Sequence, residues 1–254
     1  MKKIISAALA AVMCLGLASC GNDAQKSEAG DKTYIIYSDN SFAPFEYLDS
    51  ETNTYVGVDM DILAAVAADQ GFKYEVKNEG FDASMGAVQS GQADAMIAGM
   101  TINEEREKTF DFSDGYFEDG QILVVAKDSK IEKEDDLKGT SVATKIGTMG
   151  TEYAESIKDT VGFDTVNYED SPTMYTALEN GTNAACFEDR SVVEWAIKAE
   201  NLNLKTVGEV INPKQYGFAV RKGENAELIK MFNEGLKNIK ESGKYDEILA
   251  KYGF

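Results

Sequence analysis

Histidine is absent from this chain of 254 residues. Without histidine, the Ser-His-Asp and Cys-His nucleophile systems are excluded, and so is every zinc site that uses an imidazole. The sequence also lacks a Cys-x-x-Cys pair and a Gly-x-Ser-x-Gly turn, the signatures of many zinc sites and serine hydrolases. We therefore expect a protein that is not an enzyme and that uses no metal and no cofactor.

Cysteine is nearly as scarce, with three in the chain. Cys14 and Cys20 lie near the N-terminus, so Cys186 is alone in the remainder and an intrachain disulfide there is excluded. Cys186 stands in the apolar run Ala184-Ala185-Cys186-Phe187, which favours a buried, inert thiol over a reactive one.

Positive charge is in short supply. The 25 lysines and arginines are outnumbered by 44 aspartates and glutamates, which gives a formal net charge of −19. Such a surface repels the phosphate backbone of DNA and RNA, because nucleic-acid binding depends on lysine and arginine. We therefore exclude nucleic acid as a partner.

Long apolar runs are limited to one, from Ile4 to Leu17, which follows Lys2 and Lys3 and ends before the small residues Ala18 and Ser19. This arrangement predicts a secretory signal peptide over residues 1–19. The run is shorter than the roughly 20 apolar residues that a membrane-spanning helix needs. We expect the mature protein to have no transmembrane helix.

The end of that signal, Leu17-Ala18-Ser19-Cys20-Gly21, is similar to a bacterial lipobox, in which cleavage precedes the cysteine and its thiol receives a lipid anchor. A plain secretory signal is the alternative. Residues 20–32 are small, polar and without periodicity, which predicts a flexible tether. The expected location is the extracytoplasmic face of the cell membrane, with the lipid anchor on Cys20.

The rest of the chain alternates short β-type runs with helical periods, which predicts an α/β fold. Residues 59–70 are expected to form a helix that ends at Gly71, and Ser171 and Pro172 to begin another that ends before Gly181. With only three prolines and no second linker, two lobes would have to be joined by strands. The candidate strands are 34–37, 73–76, 94–98, 122–126, 141–144, 165–168, 184–187, 204–207 and 216–220.

Three polar turns follow strands, where open α/β sheets bind ligands. Residues 98–106 end in Arg106, which can bind a carboxylate through two parallel hydrogen bonds or can be an ordinary surface arginine. Residues 145–151 offer free N–H groups to an anion at a helix start. Glu188 and Asp189 follow the third strand, where a carboxylate can meet an ammonium group or simply cap a helix.

One acidic motif, Asp59-Met60-Asp61, fits the DxD pattern that holds metal ions. It opens a predicted helix, where aspartates satisfy free N–H groups and interact favourably with the helix dipole. We therefore interpret it as structural.

In combination, seven stretches resemble the amino-acid-binding proteins of ABC importers, bacterial solute-binding protein family 3, and most closely its glutamine-binding members. The likeness extends in collinear order from about Tyr34 to the C-terminus. The stretches are 41–47 (SFAPFEY), 56–61 (VGVDMD), 89–94 (QSGQAD), 98–106 (AGMTINEER), 110–116 (FDFSDGY), 136–139 (DLKG) and 215–217 (QYG).

The resemblance implies a two-lobed periplasmic-binding-protein-like fold of type II, with two mixed sheets joined by a two-strand hinge. Residues 33–115 and 217–254 would form the large lobe, residues 121–211 the small lobe, and residues 116–120 and 212–216 the hinge strands. It also implies a free L-amino acid as ligand, and an ABC permease with its cytoplasmic ATPase as partner. We expect the receptor to act as a monomer.

The resemblance also implies roles for individual residues. Arg106 corresponds to the clamp for the α-carboxylate, and Asp189 to the partner of the α-ammonium group. Asp39 and Lys145 correspond to the pair that reads a side-chain amide. The remaining expected ligand-binding residues are the aromatic walls Phe42 and Phe81, the backbone groups of Ala98, Gly99, Thr101 and Met149, and Thr148 and Glu188.

Glu188 departs from the pattern, because a histidine is expected there in glutamine receptors. The extra carboxylate favours arginine, lysine or ornithine, whereas Lys145 favours glutamine, which remains the first choice. Two other functions stay open: a tethered amino-acid sensor, and an enzyme of the cyclohexadienyl-dehydratase type that would use Glu188 as a general acid.

Overall fold

The computed structural model describes residues 32–254. This part of the chain forms thirteen strands and seven α-helices. The strands are β1 Thr33–Asp39, β2 Ser41–Phe42, β3 Glu46–Asp49, β4 Thr54–Val56, β5 Lys73–Glu79, β6 Ala95–Met96, β7 Phe110–Phe112, β8 Phe117–Ala126, β9 Ser141–Lys145, β10 Asp164–Tyr168, β11 Ala185–Asp189, β12 Leu204–Tyr216 and β13 Ala219–Arg221. The α-helices are α1 Val58–Gln70, α2 Phe81–Gln89, α3 Met149–Val161, α4 Ser171–Glu179, α5 Arg190–Ala199, α6 Ala226–Glu241 and α7 Lys244–Lys251.

Two five-stranded mixed sheets organise two α/β lobes, which confirms the predicted fold class. The first sheet has the order β5-β1-β6-β13-β7, with β1 parallel to β5 and β6. The second has the order β10-β9-β11-β8-β12, with β9 parallel to β10 and β11. A separate antiparallel sheet, β2-β3-β4, adjoins the first.

The core of the first lobe forms where α1 and α6 cover one face of the first sheet. Leu63 and Val66 of α1 and Phe232 of α6 are fully buried there. Gly235 allows the two helices to approach closely, since a Cβ atom at that position would lie 2.8 Å from the side chain of Val66. This close packing fixes the position of α1 against α6.

Strands β8 and β12 pair antiparallel along the second sheet. The start of β8 and the end of β12 lie next to the first lobe, where Tyr216 forms a bridge with Thr101. Phe117 on β8 pairs with Tyr216 on β12, and two register shifts interrupt β12 further along. Gly120 lies against this irregular stretch, because a Cβ atom there would be 2.6 Å from Val210 and 2.7 Å from the carbonyl oxygen of Ile211. These paired ends, which we call the crossing strands, coincide with the predicted hinge; the lobe boundaries stay a prediction.

Helix predictions are confirmed in one case and corrected in another. Helix α1 spans Val58–Gln70 and ends at Gly71, which has the expected left-handed conformation at φ 74°. The cap of α4 was wrong: Asp170, not Ser171, is the N-cap, and its carboxylate accepts a hydrogen bond from the N–H of Thr173 at 2.7 Å. Ser171 instead donates to Glu188, because its side chain points into the lobe.

Strand predictions hold for most of the two sheets, but several bounds differ. Strands β8 and β12 extend well beyond the expected 122–126 and 204–207, and β11 continues through Glu188 and Asp189, which were expected to follow it. The expected strand 94–98 is reduced to β6, Ala95–Met96, because the following residues turn into the candidate site. The expected strand 216–220 is divided between the end of β12 and β13, Ala219–Arg221. The short strands β2, β3, β4 and β7 were not predicted.

The predicted signal peptide, the anchor on Cys20 and the tether up to residue 31 lie outside the described residues. Within residues 32–254, no helix combines the length and apolar character needed to cross a membrane. Cys186 is buried, and burial raises the pKa of its thiol well above the ordinary value, as expected for an inert thiol.

Candidate functional site

A narrow cavity of about 20 Å³ lies between the two sheets, which is room for about one water molecule. The lobes are therefore closed on each other. Eleven of the twelve predicted ligand-binding residues line this cavity; the twelfth, Asp39, is buried and contacts Lys145. The lining residues are Phe42, Phe81, Ala98, Gly99, Thr101, Arg106, Lys145, Thr148, Met149, Gly150, Glu188 and Asp189.

A much larger cleft, of about 820 Å³, runs between α5, the crossing strands and the C-terminus. It contains none of the predicted ligand-binding residues. We place the candidate site in the small cavity, because buried charges of both signs converge there. Clustering of charge in a closed cleft is typical of a site for a small polar ligand.

Arg106 begins a short 3₁₀ turn after the first of the three polar segments, and its guanidinium is buried. One terminal nitrogen donates to the carbonyl of Thr101 at 2.8 Å, and the other donates across the cleft to the carbonyl of Gly147 at 2.9 Å. The guanidinium also lies 5.4 Å from the ring centre of Phe81. This fixed, planar donor suits a carboxylate.

The start of α3 faces the same end of the cavity. Thr148 is the N-cap, and its hydroxyl accepts a hydrogen bond from the N–H of Thr151 at 3.3 Å. Gly150 allows α3 to approach β11, since a Cβ atom there would lie 2.3 Å from the carbonyl oxygen of Phe187. The first-turn N–H groups of a helix have no intrahelical acceptor, so this end of the cavity suits an anion.

Asp189 supplies the opposite charge. It occupies the N-cap position of α5, yet its carboxylate makes no capping bond. One oxygen accepts from the side-chain amide of Gln121 at 2.6 Å and the other from the hydroxyl of Tyr216 at 2.5 Å. Burial, with the charges of Asp119 and Glu188 adding to it, raises the pKa of Asp189 to about 7. A cation that reaches this carboxylate would be strongly favoured.

Glu188 lines the cavity but is already held by its own lobe. Its carboxylate accepts from the hydroxyls of Ser171 at 2.8 Å and Tyr175 at 3.1 Å, and from the N–H of Asp189 at 3.0 Å. Burial raises the pKa of Glu188, while the charge of Lys145 opposes the shift. The three donors fix its orientation and leave it little freedom to follow a ligand.

Asp39 and Lys145 form a buried ion pair across the cleft, with 2.5 Å between the ammonium nitrogen and Oδ2 of Asp39. The ammonium group also lies 4.7 Å from the ring centre of Phe42. Burial alone would lower the pKa of Lys145, but the charges of Asp39 and Glu188 outweigh burial and raise it. The end of the cavity next to Phe42 therefore holds a lysine ammonium group and an aspartate carboxylate in direct contact.

Gly99 forms part of the cavity floor with a positive φ of 52°. A Cβ atom there would lie 2.6 Å from the ring of Phe42 and 3.3 Å from that of Tyr216. Glycine is therefore required by both conformation and space. The absence of a side chain leaves the backbone of this segment accessible to a ligand.

Sequence reasoning missed several residues that complete the site. Gly147 and Gly150 lie in the turn that had been singled out, but their carbonyl and close-packing roles had not been predicted. Gln121 and Tyr216 hold Asp189 from the two crossing strands. Tyr216 belongs to the stretch QYG at 215–217, which was the available signal.

The DxD motif proves structural in a different way from the one predicted. Neither aspartate caps α1, whose N-cap is Gly57. Asp59 accepts from the N–H of Gly99 and the hydroxyl of Tyr116, and Asp61 accepts from Lys251 at 2.7 Å. The two carboxylates thus serve separate partners.

Comparison with known proteins places the chain among binding proteins. Residues 34–254 match the family described as bacterial extracellular solute-binding proteins, family 3. A "Probable histidine-binding protein" of Neisseria gonorrhoeae is 36% identical over 99% of this chain and 96% of its own. An ABC transporter glutamine-binding protein of Bacillus subtilis is 34% identical over 99% of this chain and 97% of its own. The crystal structure of the arginine-, lysine-, histidine-binding protein ArtJ of Geobacillus stearothermophilus superposes with a TM-score of 0.80 at 34% identity, covering 87% of this chain and 95% of that chain.

Proposed function

The chain belongs to the bacterial extracellular solute-binding proteins of family 3, and on that premise we propose that it captures free L-glutamine between its lobes and delivers it to an ABC permease served by a cytoplasmic ATPase. The family and the named relatives are binding proteins, which confirms the expectation that the chain is not an enzyme. The proposal includes attachment to the outer face of the cell membrane through Cys20, and a monomeric receptor.

The observation that carries the proposal is the separation of charge within one closed cavity. Arg106 and the first turn of α3 suit the α-carboxylate of an amino acid, and Asp189 suits its α-ammonium group. Asp189 is close enough for its charge to act on Arg106. A zwitterion therefore finds a partner for each charge without leaving a buried charge unpaired.

The Asp39–Lys145 pair supports glutamine as the side chain that is read. An amide can insert between the two groups, with its NH₂ donating to Asp39 and its oxygen accepting from Lys145. A guanidinium or ammonium side chain would have to compete with Lys145 for the same carboxylate. The relatives named for histidine and for arginine and lysine make basic side chains the main competing ligands.

Closure follows from where these groups lie. Arg106 and Asp39 belong to the first lobe, while Gly147 and Lys145 belong to the second, so both cross-cleft contacts exist only when the lobes approach. We propose that the ligand replaces these contacts with stronger ones and so favours the closed state. Only such differential affinity can shift the equilibrium between open and closed forms.

A thermal-shift panel of the common amino acids, including arginine, lysine, histidine and cystine, tests this proposal. Glutamine is expected to give the largest rise in melting temperature, because the ligand with the lowest Kd stabilises the folded protein most. At 100 times its Kd, a ligand adds about 2.7 kcal/mol to stability. A larger shift with a basic amino acid would reassign the side-chain preference. The absence of a shift with every amino acid would contradict the proposed function itself.

Lys145→Gln is expected to weaken glutamine binding by about 10- to 100-fold, since one charge-assisted hydrogen bond is worth roughly 1.5–3 kcal/mol. The same change should improve the relative affinity for arginine, because Asp39 loses its resident cation. Isothermal titration calorimetry with both ligands measures the two effects. Lys133→Gln, at an exposed surface ion pair, is the matched control. Equal changes for glutamine and arginine would contradict the assigned role of Lys145.

A further inference from the structure

Two buried carboxyl groups take no part in the proposed ligand contacts. They lie next to Gly99, on the side of it that faces away from the cavity. Glu46 on β3 and Asp59 at the start of α1 are both fully buried. Among residues 32–254, no N–H or hydroxyl group donates a hydrogen bond to either oxygen of Glu46 or to Oδ1 of Asp59. The two carboxyl groups instead lie within hydrogen-bonding reach of each other, and each acts on the pKa of the other. Ionised carboxylates only accept, so this contact requires a proton on one of them.

The second oxygen of Asp59 connects two functional parts of the molecule. It accepts from the backbone N–H of Gly99 at 2.8 Å and from the hydroxyl of Tyr116 at 2.7 Å. Gly99 lines the cavity, and Tyr116 immediately precedes the crossing strand β8. A single carboxylate thus ties the cavity floor to the start of the hinge.

The surroundings decide which group keeps the proton. Burial, then the charges of Asp59 and Asp39, raises the pKa of Glu46 well above its ordinary value, and Lys145 only partly opposes this. Burial raises the pKa of Asp59 to about 6, with the hydrogen bonds from Gly99, Tyr116 and Glu46 limiting the rise. Glu46 is therefore the neutral member, and Asp59 becomes an acceptor for three donors.

We propose that Glu46 and Asp59 share one proton, and that Asp59 is thereby a positioning residue that holds the backbone of Gly99 in place for the ligand and ties it to Tyr116. The part about the ligand rests on the proposed function, whereas the shared proton does not. Neither residue touches the ligand in this arrangement, so both act through Gly99.

The shared proton is measured in the unliganded protein. Infrared spectroscopy at pH 8, above the pKa of about 6 for Asp59 and about 7 for Asp189, should detect a neutral buried carboxyl group that is lost in Glu46→Gln and persists in Glu188→Gln. The glutamine amide can still donate to Asp59, so this variant should fold and keep its ligand affinity within about threefold. A spectrum unchanged by Glu46→Gln would overturn the proposal.

Positioning is tested with Asp59→Asn, which keeps the shape but removes the charge. Ligand affinity is expected to fall about 10- to 100-fold, because the N–H of Gly99 loses a charged acceptor. The amide resonance of Gly99 should move in this variant and stay in place in Glu46→Gln. An affinity and a Gly99 resonance that both match the wild type would overturn the assignment.

A second variant covers the case in which Asp59→Asn does not fold. Tyr116→Phe removes one donor from Asp59, so the carboxylate is less stabilised and the Gly99 resonance should titrate at higher pH than in the wild type. An unshifted titration would contradict the link. If no amino acid binds the wild type, the proposed function fails while the infrared and resonance measurements still test the acid pair.

Discussion

Replacing Arg106 with alanine is expected to weaken amino-acid binding by roughly 100- to 3000-fold, since removing one partner of a buried ion pair costs about 3–5 kcal/mol. Arg106 is buried, and its terminal nitrogens already hold the carbonyls of Thr101 and Gly147. The variant therefore leaves the ligand carboxylate without its planar donor and removes one cross-cleft contact. Titration calorimetry with the ligand identified by the thermal-shift panel measures the loss.

Two controls separate the clamp from general effects of charge. Arg106→Lys keeps the charge but loses the two parallel donors, so binding should fall by about tenfold or more and remain stronger than in Arg106→Ala. Arg221→Ala removes an exposed arginine whose ion pair with Glu224 is half in solvent, so affinity should not change. Unchanged binding in Arg106→Ala, with the fold intact by circular dichroism, would contradict the clamp assignment.

The ends of strands are where sequence reasoning succeeded. Glycines and polar residues at the end of an apolar run predict where a strand meets a turn at a sheet edge. Gly99 lies in such a turn, and Lys145 and Glu188 lie at the ends of β9 and β11. These signals are local, because a strand and the turn that follows it together occupy about ten consecutive residues. The resemblance added which turn meets which part of a ligand, which local patterns do not contain.

Partners across the fold could not be predicted in the same way. The hydroxyl of Tyr216 reaches Asp189 only because β12 pairs with β8 beside β11, a contact between residues 27 positions apart. Likewise, the Asp39–Lys145 pair joins residues 106 positions apart. The cap of α4 failed for a related reason: Ser171 and Asp170 are both good caps, and only the burial of Glu188 draws Ser171 away.

Asp189 gives the second large effect, which depends on pH. Its pKa is raised to about 7, because burial and the charges of Asp119 and Glu188 disfavour the ionised form. For a carboxyl group whose pKa is raised on folding, the stabilising contribution is complete near pH 4 and is lost as pH rises through about 7. Ligand affinity changes with pH in the opposite direction to stability: it rises with pH, because the α-ammonium group needs the ionised carboxylate of Asp189.

Affinity should therefore fall as pH decreases from 8 to 5.5, by up to roughly 30-fold, because each proton that must leave before binding costs up to tenfold per pH unit. Calorimetry in two buffers of different ionisation enthalpy should show about half a proton released per ligand at pH 7, since the group is then half protonated. Asp189→Asn should bind at least tenfold more weakly and show a flatter pH profile. A profile as steep as that of the wild type would assign the titration to another carboxyl group, such as Asp119 or Glu188.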